Sequence, residues 1–157
     1  VTRTFSKIHG LAALRLGYAV SHPAIADLLN RLRQPFNVNA AALAAAEAAL
    51  ADEAYVEESR RLNDAGLAFL AAACEARQIP FIPSFGNFLT IDVGARGVAA
   101  GEVYEALLRE GVIVRPVAGY GLPDHLRVSV GLPEENARFV EALDRVLGRL
   151  GGAGPGP

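Results

Sequence analysis

The stretch "TFSKIHGLAALRLGYAV", residues 4–20, decides the fold. It sets Lys7 and Arg15 eight positions apart (15 − 7), between short apolar runs, with Thr4 and Ser6 just ahead of the lysine and Gly10 between. A nucleophilic lysine must reach its neutral form at working pH, through desolvation or nearby positive charge. A phosphate-bearing ligand calls for hydroxyls, backbone N–H groups and an arginine fork converging on its oxygens. This stretch holds all of these. A strand–turn–strand with a solvated lysine and a surface arginine accounts for the same residues.

Outward from that stretch, residues 1–5 read as a strand end, 7–13 as a loop or short turn around Gly10, and "LGYAVS", 16–21, as a strand. "PAIADLLNRL", 23–32, reads as a helix, with proline in its first turn and Ile25, Leu28, Leu29 and Leu32 on one face. Pro35 ends it, and Asn37 or Asn39 can cap the next helix. Residues 40–77 are helical with a break near Asp52, which can cap a second helix from Glu53 to Arg77. Leu62, Phe69 and Ala73, with Ala65 and Ala76, form an Ala-rich face suited to close packing. Cys74 lies in this stretch and reads as a buried helix residue.

Beyond Pro80 the pattern changes. Strands are expected at 81–84, 88–93, 112–116 and 126–131. A helix at 100–111 turns Val103, Leu107 and Leu108 inward, and a last helix at 132–150 buries Phe139, Val140, Leu143 and Leu147. "GGAGPGP", 151–157, reads as a disordered tail. In "HLRVSVG", Leu126, Val128 and Val130 alternate, so Arg127 points to the opposite face, with Ser129. An edge arginine snorkelling to solvent is the other reading of that position. The pattern reads as a helical spine (36–78) and a small α+β domain (79–150).

Composition narrows the function classes. The chain has 157 residues, 52% hydrophobic and 20% charged, with a mean hydropathy of +0.25. That supports a sizeable core and argues against disorder. Net charge is −2, and no basic stripe interleaved with aromatics marks a nucleic-acid partner. No apolar run is long enough for a transmembrane helix, so no membrane partner is expected. One cysteine cannot form an intrachain disulfide, and a reducing cytoplasm is the default setting. No His, Cys and carboxylate cluster has metal-ligand spacing. The chain opens on Val1 and contains no methionine. Initiator removal explains this, as does membership in a longer protein; a first strand with no upstream partner favours the second.

The opening motif resembles the lysine motif of the class I/II, pyridoxal-phosphate-dependent aminotransferases. It is most similar to the histidinol-phosphate branch, whose usual form is close to S-K-x-x-G-L-A-G-L-R-x-G-Y. The resemblance continues through "RQPFNVN", "PSFGNFLTIDV", "GVIVRP" and "YGLPDHLRVSVGLPEEN", from residue 3 to about 148. Ala13 stands where glycine is common, which is tolerated unless that position needs a positive φ.

The resemblance implies an α/β class, an incomplete fold type I transferase with 1–35 as the end of its large domain and pyridoxal 5'-phosphate as cofactor. It implies that Lys7 is the Schiff-base lysine and the acid/base of the reaction, and that Arg15 binds the cofactor phosphate with hydroxyls from Thr4 or Ser6. It makes Arg127 and Arg115 the grip on the substrate's phosphate, with Asn87 orienting backbone or substrate nearby; a turn role for Asn87 fits equally. His9 is placed to act as a base, a role Lys7 already fills, while His22 and His125 read as surface positions. The reaction implied is imidazole acetol phosphate with glutamate giving histidinol phosphate and 2-oxoglutarate. The family's other cofactor contacts precede the lysine. The resemblance therefore implies an N-terminal large domain and a homodimer, and little activity from this chain alone. Competing readings are a threonine-phosphate decarboxylase, another class I/II aminotransferase, and a free-standing non-catalytic interaction domain with an exposed apolar patch.

Overall fold

Capping and turn residues set the element boundaries. In the computed structural model, which describes residues 1–151, α1 runs Pro23–Leu32, with Pro23 at its first position and the His22 Nδ1 accepting from the Ala24 N–H. The Asn39 side chain accepts from the Ala42 N–H at 2.8 Å and starts α2, Ala40–Ala51. Asp52 breaks the segment and accepts from the Tyr55 N–H at 3.0 Å, opening α3, Glu53–Ala76. Each cap satisfies an N–H that the first turn leaves without an intrahelical partner.

The chain divides into two compact units, one of residues 1–61 and one from Leu62 onward. In the first, β1 (Thr2–Thr4) pairs antiparallel with β2 (Gly17–Ala19), in the register Thr2–Ala19, Arg3–Tyr18, Thr4–Gly17. The first strand thus finds its partner downstream. The core of this unit is Phe5, Leu16, Ala42 and Ala46, with Leu11, Leu14, Val38 and Ala49 packed around them. Ile25, Leu28, Leu29 and Leu32 share a face of α1 as expected, yet all four are exposed.

The second unit holds a four-stranded antiparallel sheet in the order β3-β4-β6-β5. Its strands are β3 (Phe81–Ile82), β4 (Phe88–Asp92), β5 (Arg115–Pro116) and β6 (His125–Ser129). Two helices complete it, α4 (Ala100–Arg109) and α5 (Pro133–Gly151). Leu89, Ile91, Leu126 and Val128 turn from β4 and β6 into one core with Val103 and Leu107 of α4 and Phe139, Leu143 and Val146 of α5.

Several expectations need correction. The strands are shorter than expected. Pro83 ends β3 after Ile82, since a proline cannot donate to a ladder, while β5 ends at Pro116 as expected and lacks 112–114. The buried stripe of α3 is Gly66, Leu70 and Cys74, whereas Phe69 is exposed. Leu62 and Ala73 of the expected face are half-buried, and Gly66 packs closest, since a Cβ there would overlap the Val130 side chain. Leu108 and Leu147 are half-buried, and Ala142 and Val146 complete the inner face of α5. Gly151 belongs to α5, and the remainder of the expected tail lies outside the described residues.

Candidate functional site

Lys7 sits on a loop pinned at both ends by one residue. The Phe5 N–H donates to the Leu16 carbonyl at 3.1 Å, and the Phe5 carbonyl accepts from the Leu11 N–H at 2.9 Å. Its ring is 4% exposed and lies 5.0 Å from the His9 ring. Within the pinned loop the Gly10 N–H donates back to the Lys7 carbonyl at 2.9 Å, and Gly10 takes φ +68°. That turn holds the lysine side chain out to solvent.

Arg15 closes the short 3₁₀ turn Ala12–Leu14 in a left-handed conformation, φ 54° and ψ 50°. A non-glycine residue held there costs on the order of 1 kcal/mol and is found where surrounding structure demands it. Its Nη1 donates to the Ala12 carbonyl at 2.7 Å. Ala13 has no positive φ, so alanine is tolerated there. The Thr4 Oγ1 accepts from the Ser6 N–H at 3.1 Å, which leaves the threonine hydroxyl proton to donate elsewhere. A phosphate-bearing group with an aldehyde fits this donor set: one primary amine, one guanidinium and the Ser6 hydroxyl on a single pinned loop, with the Thr4 hydroxyl at the end of β1 just ahead of it. His9 keeps its Nδ1 buried with no hydrogen-bond partner. The expectation missed Phe5, whose two backbone bonds define the loop. It also passed over a plainer signal: Lys7 is the only lysine in the chain.

The expected substrate residues lie in the second unit: Arg115 and Arg127 on sheet strands, Arg127 on the face opposite Leu126 and Val128, and Asn87 just ahead of β4. Arg127 of β6 stands opposite Thr90 of β4 on one side and Arg115 of β5 on the other, and Ile82 pairs with Thr90. Ile82, Thr90, Arg127 and Arg115 therefore form one cross-strand row on one face. Leu126 and Val128 are buried while Arg127 is half-buried and Ser129 exposed, the alternation expected. Arg127 is not an edge residue: β6 is flanked by β4 and β5. Its Nε is buried with no hydrogen-bond partner. Two cations side by side on one sheet repel, and an orphaned buried donor adjoins them; both features favour an anionic occupant.

Asn87 is exposed, and its backbone carbonyl accepts from the Val130 N–H at 2.9 Å. His125 is a correction: it opens β6 half-buried with Nδ1 unpartnered, because its register partner Asp92 places it inside the sheet. His22 is exposed and serves as the cap of α1. A cleft of about 510 Å³ near the start of α5 is lined by Val112, Val114, Ser129, Asn136 and Arg138 among others, and none of the expected site residues lines it. Among the described residues no group of three His, Cys, Asp or Glu could hold a metal ion. None of their helices is long and apolar enough to cross a membrane.

Residues 1–143 match the family model for aminotransferase class I and II. A histidinol-phosphate aminotransferase of Pseudomonas aeruginosa is 64% identical over 147 residues, which is 94% of this chain and 39% of that protein. One from Nitrosococcus oceani is 59% identical over 147 residues, again 94% of this chain and 39% of the relative. The crystal structure of histidinol-phosphate aminotransferase from Sinorhizobium meliloti in complex with pyridoxal-5'-phosphate superimposes with a TM-score of 0.83 at 30% identity, covering 95% of this chain and 41% of that one. The chain thus spans about two fifths of the length of the relatives it matches.

Proposed function

The chain belongs to the class I and II aminotransferases, and on that premise we propose that it forms the C-terminal portion of a pyridoxal-phosphate-dependent histidinol-phosphate aminotransferase. The observation that carries the substrate reading is the register pair Arg115–Arg127. Two guanidinium forks suit a dianionic phosphate, whereas a plain amino acid needs one for its carboxylate. The names of the relatives above agree with it.

In this reading Lys7 Nζ is the amine that would hold the cofactor's aldehyde and, when free, the group that would take and return a proton at the substrate's amine-bearing carbon. Arg15 and the hydroxyls of Thr4 and Ser6 bind the cofactor's phosphate. Fixing that phosphate on the same pinned loop as the amine sets the distance between the cofactor's anchor and its reacting carbon. The bound pyridoxal ring supplies an electron sink for the carbon that loses its proton. Arg115 and Arg127 bind the phosphate of the imidazole substrate, and in the other half-reaction a carboxylate of glutamate. Each charge-assisted hydrogen bond contributes roughly 1.5–3 kcal/mol in a site closed from water. The proposal includes a homodimer and a large domain supplied ahead of Lys7, both resting on the family, and a cytoplasmic setting, resting on the single cysteine.

The test is transamination by the complete reading frame that encodes this chain, with histidinol phosphate and 2-oxoglutarate. Glutamate release that disappears in Lys7→Ala and falls at least tenfold with phosphate-free histidinol supports the reading. Equal rates with and without the substrate phosphate contradict it.

A further inference from the structure

Phe88 opens β4 opposite Ser129, one row along the sheet face from Thr90, Arg127 and Arg115. Its ring centroid lies 5.0 Å from the Arg127 guanidinium carbon. The contact sets the face of the ring beneath the Arg127 cation, and stacking of this kind is compatible with the Nη edge serving an acidic group. With Arg127 Nε buried and unpartnered, no protein acceptor at that atom fixes the guanidinium plane. The directly opposed Arg115 pushes on it as well. The negative face of an aromatic ring answers both, since it attracts the cation and defines its plane. The ring is itself held: a Cβ at Gly86 would stand 3.2 Å from Phe88 Cε1, and the Gly86 carbonyl accepts from Asn63 Nδ2 at 3.1 Å.

We propose that Phe88 is a positioning residue that presents Arg127, beside Arg115, to the phosphate group of the substrate. The inference rests on the reading of the arginine pair above and deepens it. The test uses the Arg Nε–Hε resonances of the protein during titration with inorganic phosphate. The Arg127 Hε should lie upfield of that of Arg115 through the ring current of Phe88, and both should move with phosphate. Phe88→Leu should return the Arg127 resonance towards that of Arg115 and weaken phosphate binding, read at Arg115, by roughly three- to tenfold. Phe88→Tyr should keep binding within about twofold, because it restores the ring. Unchanged binding in Phe88→Leu, alongside a loss in Arg127→Gln, overturns the role of Phe88 and leaves the arginine pair standing. Unchanged binding in Arg127→Gln as well overturns both. Should Phe88→Leu fail to fold, the wild-type spectrum decides: an Arg127 Hε without the upfield shift overturns the proposal.

Discussion

Arg115 and Arg127 face each other across neighbouring antiparallel strands, two like charges in one register position. Opposed like charges weaken a sheet by about 0.2–1 kcal/mol. The arrangement therefore favours binding at the expense of stability. Arg115→Gln is expected to raise the unfolding midpoint slightly in phosphate-free buffer while lowering kcat/KM for the phosphorylated substrate about tenfold or more. Added phosphate should stabilise the wild type more than the variant. Denaturant melts with and without phosphate check this; a variant less stable in phosphate-free buffer would contradict it.

Phe5 anchors the lysine loop through its ring and both backbone groups. Phe5→Ala should cost about 3–5 kcal/mol, the usual range for emptying a buried aromatic site. Thermal unfolding measures the loss. A change below about 1 kcal/mol would show that the Ala42–Ala46 face and Leu16 hold the loop without it.

Cys74 is buried on α3 at 2% exposure, and burial pushes its thiol up to about 11, with the Arg77 charge acting weakly in the other direction. Thiolate is the reactive form. Native protein near pH 8 should leave a thiol reagent unconsumed for as long as it stays folded, and unfolding should release one reactive thiol per chain. Rapid labelling under native conditions would contradict the burial.

Glu110 caps α4 and takes Arg149 at 2.7 Å and Arg145 at 3.0 Å from α5. Hydrogen bonds from Arg149 and then Arg145 hold its carboxyl below the ordinary 4.5, and the Arg77 hydrogen bond holds Asp144 below its ordinary 3.8 in the same way. Both folded values are depressed, so their stabilisation is present above the ordinary values and is lost as pH falls through the folded ones. Glu110→Gln should therefore melt earlier than the wild type near neutral pH, and the gap should close as pH drops below about 4. A gap that persists unchanged into acid would contradict this linkage.

Much of the fold was legible before the structure. The caps at Asn39 and Asp52 and the proline at the start of α1 are local signals, and each stands where local chemistry places it. The resemblance named the two arginines as a pair, but not their direct opposition in one register position, because β5 is two residues long and its register depends on contacts far along the chain. Of the buried stripe of α3, Cys74 was expected, whereas Gly66 carries no apolar side chain to register in a periodic pattern. Phe5 and Phe88 read as ordinary apolar residues. Their roles come from what the folded chain sets beside them, a pair of backbone bonds in one case and a guanidinium in the other.

The central claim is that Lys7 holds pyridoxal phosphate. Because Lys7 is the only lysine of this chain, borohydride reduction of the complete protein with one equivalent of the cofactor, followed by peptide mass spectrometry, tests it most directly. The account predicts a reduced pyridoxyl adduct on Lys7 that is strongly diminished in Arg15→Gln. An adduct confined to other amines, with Lys7 unmodified, would contradict it.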